Sequence, residues 1–267
     1  MHLGHAYAAL FAWEQAQKAG GRFLVRIEDI DRGRSKPEFE QQIFEDLEWL
    51  GIQWEQPVLR QSERFEAYKE ALGKLDAMGV LYPCFCTRKE IAAEIARAGS
   101  APHGPEGALY PGICKRLTDT ERQEKMANGV SYAQRINLEK ALELAPGPLE
   151  WRELSTDDVR IADPGPLGDA VLGRKDFGTS YHLAVTVDDA LQGISLVTRG
   201  EDLIHATDLH RLLQELLNLP VPEWHHHKLI RDEAGVRLAT RDSARTLEKM
   251  RAEGVSAREV RASLGFS

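Results

Sequence analysis

The 267-residue sequence has few cysteines and no long hydrophobic run. Three cysteines cannot form a disulfide framework, and no stretch of about 18 apolar residues is present that could span a bilayer. The first residues lack a basic segment followed by an apolar one, so no secretory signal is predicted. We therefore expect a cytoplasmic protein with no membrane partner, whose cysteines stay reduced and are available to a metal.

Acidic residues outnumber basic ones, and the formal net charge is −8. This balance excludes a protein that coats nucleic acid through its bulk charge. Residues 231–267 differ, because they carry eight basic and six acidic side chains. Basic residues in this segment are candidates to contact a polyanion, although a solvated helix face would have the same composition. The candidates are Arg241, Arg245, Lys249 and Arg251.

Hydrophobic periodicity predicts helices that alternate with short strands. Residues 23–27 are almost continuously apolar, which is typical of a strand buried on both faces. Residues 35–38 (Ser-Lys-Pro-Glu) resemble a capping box with an early proline. The order of elements predicts an α/β fold with a doubly wound parallel sheet and a helical C-terminal part. The predicted helices occupy 5–19, the segments after Pro37 and after Ser62, 205–218 and parts of 243–265, and two later strands occupy 167–171 and 181–187.

All three cysteines lie within 31 residues, in a segment rich in proline and glycine. Cys84, Cys86 and Cys114 offer three thiolates, and structural zinc takes four ligands in a tetrahedron. The fourth could be Tyr110, His103 or water. Three unrelated buried thiols are the alternative. A patch too small to hold its own core nevertheless favours a metal staple, and we expect one structural Zn²⁺ here.

The motif His2-Leu3-Gly4-His5 stands directly before a predicted helix. A helix N-terminus attracts phosphate through its unpaired N–H groups and its dipole. Two imidazoles add hydrogen-bond donors, and the glycine permits close approach to the backbone. The motif alone is weak, and a packing role is equally consistent with it.

A second basic motif, Arg237-Leu238-Ala239-Thr240-Arg241, follows a predicted turn near the C-terminus. A mobile basic loop can clamp a triphosphate and stabilise the charge that develops during phosphoryl or nucleotidyl transfer. A solvated basic turn is the simpler interpretation of these residues taken alone.

Three scattered residues suit an amino acid with an acidic side chain. Glu28 follows the predicted strand 23–27, and ligands of doubly wound sheets sit at the carboxyl ends of strands. A carboxylate can hold an ammonium group, and Arg199 can hold a carboxylate through two hydrogen bonds. Tyr181 would complete this set. Surface ion pairs are the alternative.

The run His225-His226-His227 invites a metal interpretation. Adjacent residues in an extended segment point in alternating directions, so three consecutive histidines rarely bind one ion. We expect His226 to lie near an adenine ring instead.

These motifs together resemble the class I aminoacyl-tRNA synthetases. Residues 2–6 (His-Leu-Gly-His-Ala) are similar to the HIGH signature, and residues 24–31 to the Arg-Ile-Glu-Asp segment of the glutamate-specific branch. Residues 181–189 and 197–203 are similar to the second half of that branch. The resemblance covers nearly the whole chain. The short length and the pattern of Cys84, Cys86, Tyr110 and Cys114 resemble the glutamyl-queuosine tRNA(Asp) synthetases within it.

The resemblance implies activation of L-glutamate by ATP with Mg²⁺, followed by transfer of glutamyl to queuosine in the anticodon stem-loop of tRNA(Asp). We expect a monomer, although the sequence itself does not show the oligomeric state. It implies ATP contacts, glutamate contacts and a zinc site. Since adenylation requires alignment and charge neutralisation, no acid–base residue is expected. The implied ATP residues are His2, Gly4, His5, His226, Arg237 and Thr240; those for glutamate are Glu28, Tyr181 and Arg199; those for zinc are Cys84, Cys86, Tyr110 and Cys114.

The resemblance also implies a division of the chain. We expect a nucleotide-binding domain in two halves, separated by a zinc-binding insertion with its continuation and followed by a KMSKS-type loop with C-terminal helices. The two halves of the nucleotide-binding domain are expected at 1–81 and 166–218. The zinc-binding insertion is expected at 82–116 and its continuation at 117–165, and the loop and helices at 219–267.

The sequence departs from the family pattern at two places. The family has a strand and an arginine-containing turn before its HIGH motif, whereas Met1 directly precedes His2 here. We therefore expect either that the chain is truncated at its start or that its start was assigned too late, and a chain that begins at Met1 is expected to be weak or inactive in glutamate activation. The KMSKS-type loop usually has a lysine where Thr240 stands, and we expect Thr240→Lys to accelerate adenylate formation.

Three other functions remain as alternatives. A fragment of glutamyl-tRNA synthetase would charge tRNA(Glu) at its 3′ end. A nucleotidyltransferase with the HxGH motif would make a small adenylated metabolite. A catalytically impaired relative would bind tRNA without pyrophosphate exchange.

Overall fold

The computed structural model describes residues 1–97, 103–105, 107–231 and 246–267. The chain divides into two compact units. Unit 1 comprises Met1–Ser62, Val197–Leu203 and His225–Ser267. Unit 2 comprises Glu63–Leu196 and Ile204–Trp224. Each unit is therefore assembled from segments that are distant in sequence.

Helices and strands alternate along the described residues, which confirms the predicted α/β class. The helices are α1 (Leu3–Lys18), α2 (Pro37–Trp49), α3 (Phe65–Ala77), α4 (Arg88–Arg97), α5 (Asp119–Ala127), α6 (Leu138–Leu144), α7 (Tyr181–Gln192), α8 (Ile204–Leu217), α9 (Leu247–Ala252) and α10 (Ala257–Ser263). The strands are β1 (Arg26–Ile27), β2 (Leu59–Arg60), β3 (Leu81–Cys84), β4 (His103–Gly104), β5 (Gly107–Ala108), β6 (Ala133–Ile136), β7 (Glu150–Glu153), β8 (Asp158–Ile161), β9 (Val171–Gly173), β10 (Leu196–Gly200) and β11 (Glu223–His227).

The described strands form four sheets. β1 pairs in parallel with β2, and β11 pairs in parallel with β7 through Trp224 and Glu153. β3, β6 and β9 form an antiparallel sheet, and β4 pairs with β5 as a hairpin. The largest sheet has the order β10-β11-β7-β8. Parallel pairing is seen for β1–β2 and β11–β7, but the other pairings named here and β7–β8 are antiparallel. The described strands therefore do not form the single doubly wound parallel sheet that was predicted.

The core of unit 1 forms where α1 and α2 meet the C-terminal helices. Its buried residues come from α1, from α2 with the turn after it, and from α9 and α10. Apolar side chains at helical spacing on each element create these faces. They are Ala6, Leu10, Leu47, Leu50, Ile52, Leu247, Met250 and Val260.

The core of unit 2 contains a buried polar contact between two helices. Asp188 of α7 has no exposed surface. It accepts hydrogen bonds from Arg64 Nε at 2.7 Å and from the Tyr68 hydroxyl at 2.6 Å. A buried carboxylate must be paired in this way, because leaving it unpaired costs several kcal/mol.

Several predicted elements agree with the structure. The helix predicted over 5–19 is α1, that over 205–218 is α8, and the short helices expected within 243–265 are α9 and α10. The strand predicted over 23–27 is shorter, since β1 contains only Arg26 and Ile27.

Other predicted elements are wrong. The strand predicted over 181–187 is the helix α7, capped by the Ser180 side chain and ended by Gly193 in the left-handed conformation. The capping box is wrong too, since Lys36 is the N-cap of α2 and makes no side-chain capping bond. The helix after Ser62 begins at Phe65, because Gln61–Glu63 form a 3₁₀ turn. The strand over 167–171 is displaced to β9. In the described part of the chain, no helix has the length and hydropathy needed to cross a membrane.

Candidate active site and metal centre

The N-terminus of α1 is organised by the two histidines of the HxGH motif. His2 is the N-cap residue, and its Nδ1 accepts the backbone N–H of Gly4 at 3.0 Å. The rings of His2 and His5 are stacked, with centroids 3.7 Å apart and planes inclined by 26°. His2 is buried, whereas His5 is exposed. The result is a helix start with two adjacent imidazoles, which suits an anionic ligand.

The chain returns to this helix start from the C-terminal side. Thr246 makes an antiparallel bridge with His2, and the N–H of Leu247 donates to the carbonyl of Met1 at 2.8 Å. Thr246 is the first described residue after 232–245. The residues Arg237, Thr240, Arg241 and Arg245 lie outside the described part of the chain.

Arg199 of β10 contacts His226 of β11. The Nε of Arg199 donates to Nε2 of His226 at 3.1 Å, and both side chains are buried. This hydrogen bond assigns the proton of a neutral His226 to Nδ1. A residue predicted for glutamate and one predicted for ATP are therefore direct neighbours within unit 1.

The flanking histidines face the other side of β11. The rings of His225 and His227 lie 4.7 Å and 5.3 Å from that of Phe11, and His227 also packs edge-on against Tyr7. Alternation along the strand thus separates His226 from its neighbours, as predicted. Among the described residues, the group of three potential metal ligands that lie close together is Cys84, Cys86 and Cys114, and it contains none of these histidines.

Glu28 and Tyr181 belong to different units. Glu28 is exposed directly after β1, and its carboxylate lies 3.3 Å from Arg26 Nη2. Tyr181 is the first residue of α7 in unit 2. Its ring is 5.5 Å from that of His182 and 5.7 Å from that of His210.

The three cysteines converge in unit 2. Their sulfur atoms all lie within 4.8 Å of one another, and Cys86 Sγ is 3.4 Å from Cys114 Sγ. The Tyr110 hydroxyl lies 3.4 Å from Cys84 Sγ and 3.5 Å from Cys86 Sγ. It also accepts the backbone N–H of Cys114 at 2.8 Å. The cluster joins the end of β3 to the 3₁₀ turn Cys114–Arg116.

This donor set fits a tetrahedral zinc ion. Bond lengths of about 2.3 Å to sulfur and about 2.0 Å to oxygen separate tetrahedral sulfur and oxygen ligands by roughly 3.5 Å. The separations between the Tyr110 hydroxyl and two of the sulfurs match that value. The fourth ligand position left open by the sequence is occupied here by a phenol oxygen, whereas His103 belongs to the hairpin strand β4.

The protonation of the cluster depends on burial and on hydrogen bonds. Burial raises the pKa of the Cys86 thiol to about 12. Burial also acts to raise the pKa of Cys114, but hydrogen bonds from the Tyr110 hydroxyl and the Phe85 N–H outweigh it and lower this pKa. Burial therefore opposes ionisation of the Cys86 thiol, whereas the hydrogen bonds favour the thiolate of Cys114. A bound cation would favour the thiolate form of every cysteine that it contacts.

Two cationic side chains beside the cluster were not predicted from the sequence. The guanidinium of Arg135 lies over the Tyr110 ring, 3.9 Å from its centroid. Lys175 donates to the carbonyl oxygens of Phe85 at 2.7 Å and Cys86 at 3.2 Å. Neither residue belongs to a local motif, since both approach through tertiary packing from β6 and from the turn after β9.

Comparison with known proteins decides the family. The model of the catalytic domain of class I tRNA synthetases (E and Q) matches residues 1–264. The chain belongs to this family. It is a class I aminoacyl-tRNA synthetase by descent, and the resemblance of its motifs to that class is confirmed.

Relatives in the family share much of the sequence. A protein of Rhodobacter capsulatus named glutamyl-Q tRNA(Asp) synthetase is 49% identical over 274 residues, which include 100% of this chain and 96% of the relative. A second protein named glutamyl-Q tRNA(Asp) synthetase, from Symbiobacterium thermophilum, is 42% identical over 100% of this chain and 82% of the relative. The glutamate–tRNA ligase of Aquifex aeolicus is 38% identical over 95% of this chain, but only 52% of that enzyme is covered.

The fold is shared with a solved member of the family. The crystal structure of glutamate-tRNA synthetase from Elizabethkingia anophelis superposes with a TM-score of 0.74 at 26% identity. The match covers 91% of this chain and 50% of that one. This chain therefore spans about half the length of the solved synthetase.

Proposed function

We propose that this chain activates L-glutamate with ATP and transfers the glutamyl group to queuosine at the wobble position of tRNA(Asp). The carboxylate of glutamate attacks the α-phosphorus of ATP and releases pyrophosphate. A hydroxyl of the queuosine cyclopentenediol then attacks the glutamyl carbonyl carbon and releases AMP. The observation that carries the proposal is the 49% identity to a glutamyl-Q tRNA(Asp) synthetase over essentially the full length of both chains.

The start of α1 is proposed to hold the ATP phosphates. Its N–H groups, His2 and the exposed His5 offer donors next to Gly4, and a helix N-terminus favours anions. His226 is proposed on sequence grounds to contact the adenosine part of ATP. It lies on β11, beside the strand that carries Arg199. Arg237 and Thr240 of the KMSKS-type loop would complete the ATP site on sequence grounds.

Glutamate is proposed to bind through Glu28, Tyr181 and Arg199. Arg199 suits a carboxylate because its guanidinium is planar and permanently charged. Its Nε is committed to His226, and this hydrogen bond fixes the plane of the group. Glu28 suits the ammonium group and Tyr181 offers a hydroxyl.

One zinc ion is proposed to bind Cys84, Cys86, Cys114 and Tyr110. The ion would supply structural cross-linking of β3 and the turn at Cys114, since a site with four protein ligands leaves no open position for substrate.

The test is a labelling experiment with three RNA substrates. The purified chain is incubated with ATP, Mg²⁺, labelled glutamate and tRNA(Asp) containing queuosine, the same tRNA(Asp) isolated without queuosine, or tRNA(Glu). We expect label on the first RNA alone, released with the queuosine nucleoside after nuclease digestion. Periodate treatment of the RNA beforehand should abolish labelling, because periodate cleaves the cyclopentenediol.

A second candidate is glutamyl-tRNA synthetase activity, which the similarity to the Aquifex enzyme favours. Label at the 3′ end of tRNA(Glu) would establish it and overturn the proposal. A chain that binds tRNA(Asp) but supports no ATP–pyrophosphate exchange would instead be the catalytically impaired relative.

A further inference from the structure

The geometry points to Arg135 as a positioning residue that holds Tyr110 in place as the fourth ligand of the metal site. This inference rests on the proposed zinc site and not on the identity of the RNA substrate. The contact of Arg135 that bears on the cluster is with the ring of Tyr110, so its role is exerted through that ring.

Arg135 stacks on the ring of Tyr110. The guanidinium carbon lies 3.9 Å from the ring centroid, close enough for a cation–π contact. The ring is thereby held on one face while its hydroxyl lies at 3.4 Å and 3.5 Å from two sulfurs. A tyrosine has two rotatable side-chain bonds, and a fixed ring plane removes much of the freedom of its oxygen.

Arg135 is itself anchored by the backbone of Asp169. Its Nη1 donates to the carbonyl oxygen of Asp169 at 2.8 Å. The Asp169 carboxylate accepts from the Tyr82 hydroxyl at 2.8 Å and from the Leu138 N–H at 3.0 Å. Lys115, next to Cys114 in sequence, lies 3.3 Å from the same carboxylate. The arginine is thus part of a connected network and not a mobile surface side chain.

The positive charge of Arg135 complements the charge of the metal site. One divalent ion on three thiolates and a phenolate leaves a net charge of about −2. Arg135 places a positive charge over the phenol, and Lys175 places another on the carbonyls of Phe85 and Cys86. Groups around the ligands commonly tune metal affinity, and their loss costs 10- to 100-fold.

The experiment measures zinc binding, not aminoacylation. Wild type, Arg135→Gln, Arg135→Lys, Tyr110→Phe and the Arg135→Gln/Tyr110→Phe double variant are purified with zinc. Zinc content is determined by elemental analysis, and the rate of zinc loss to a chromogenic chelator is followed. Arg174→Gln is the matched control, because Arg174 stacks on the Phe177 ring at 4.4 Å and pairs with Asp176.

We expect one zinc per wild-type chain and about 10- to 100-fold faster loss from Arg135→Gln. Arg135→Lys should fall between the two, because it keeps the charge without the planar stack. The Arg174→Gln variant should behave as wild type. The double variant should lose zinc no faster than Tyr110→Phe, since without the phenol oxygen there is nothing left for Arg135 to position.

Other results would overturn the inference. Wild-type zinc retention by Arg135→Gln would remove its basis, as would fully additive effects of the two single changes. Wild-type protein that binds no zinc would refute the metal site and this role together, while leaving the glutamylation proposal intact. If Arg135→Gln does not fold, the comparison of Arg135→Lys with wild type decides the question.

Discussion

Arg199 and His226 form a buried hydrogen bond that joins adjacent strands of unit 1. The donor is Nε of Arg199, the acceptor is Nε2 of His226, and the distance is 3.1 Å. Arg199 is only 9% exposed, so water could not fully replace His226 as its hydrogen-bond partner if that side chain were removed. The orientation of the guanidinium proposed to bind glutamate therefore depends on His226.

The first prediction concerns this pair. His226→Ala should reduce kcat/KM for glutamate in ATP–pyrophosphate exchange by about 10- to 100-fold, because hydrogen bonds to charged groups contribute roughly 1.5–3 kcal/mol. His226→Gln, which keeps an acceptor, should lose less. The control is His225→Ala, whose ring packs on Phe11. Equal losses in the alanine variants would show that general damage to β11, and not the Arg199 contact, is responsible.

The second prediction concerns the buried Asp188. Asp188→Ala leaves Arg64 and Tyr68 without this acceptor and should destabilise the protein by about 3–5 kcal/mol. Since about 1 kcal/mol shifts Tm by roughly 2–4 °C at this size, the melting temperature should fall by about 6–20 °C. Glu70→Ala removes an exposed pair with Lys74 and should leave Tm unchanged. A similar small shift for both variants would contradict this account.

The third prediction concerns the pH dependence of stability through Asp208 of α8. Burial raises the pKa of this carboxyl. The hydrogen bonds from the Trp151 side chain and the Asp163 backbone partly oppose this rise, and the charge of the Asp163 carboxylate adds a smaller upward effect. The folded state therefore binds this proton more tightly than the unfolded state. Its contribution is fully present below the unfolded-state pKa and is lost as the pH rises through the folded-state pKa.

Asp208→Asn should accordingly raise Tm by roughly 2 °C at pH 7, and the gain should disappear in acid. The measurement is a series of thermal melts between about pH 4 and 8. Asp158→Asn is the control of opposite sign, because hydrogen bonds from Thr156 and Arg160 lower the pKa of that exposed carboxyl. A gain for Asp208→Asn that persists unchanged in acid would rule out this explanation.

The fourth prediction separates two basic residues near the C-terminus. Lys249 is exposed, whereas Arg251 pairs with the buried Asp46 at 3.1 Å and lies over the Trp49 ring. Lys249→Glu should weaken tRNA binding and reduce its salt dependence by about one phosphate contact. Arg251→Glu should weaken tRNA binding and also lower Tm, because it removes the ion pair with Asp46. Unchanged tRNA affinity for Lys249→Glu, measured across salt concentrations, would place the RNA elsewhere.

The elements with a strong helical period were predictable from the sequence. α1, α2 and α8 each present apolar residues at spacings that only a helix brings to one face. α7 was mistaken for a strand because residues 181–187 alternate and contain two valines. Its end signals, Ser180 as N-cap and Gly193 beyond the last turn, are better guides than periodicity over seven residues.

The candidate site was predictable only where its residues are neighbours in sequence or share a motif. His2 and His5 stand in one helical turn, and the cysteines lie close together in the chain. The contacts between Arg199 and His226 and between Arg135 and Tyr110 span 27 and 25 residues. Such contacts depend on how strands are placed beside one another, which a single sequence does not specify.

The assembly of unit 1 from distant segments has a consequence for biosynthesis. The apolar stripe of α1, with Ala6 and Leu10, is covered by Leu247, Met250 and Val260. At about 5–20 residues per second, a ribosome needs roughly 10–50 s to produce these partners after α1 has emerged. During that interval the helix bearing the HxGH motif has its partners from α2 but not those from α9 and α10, so part of its hydrophobic face stays exposed on the nascent chain.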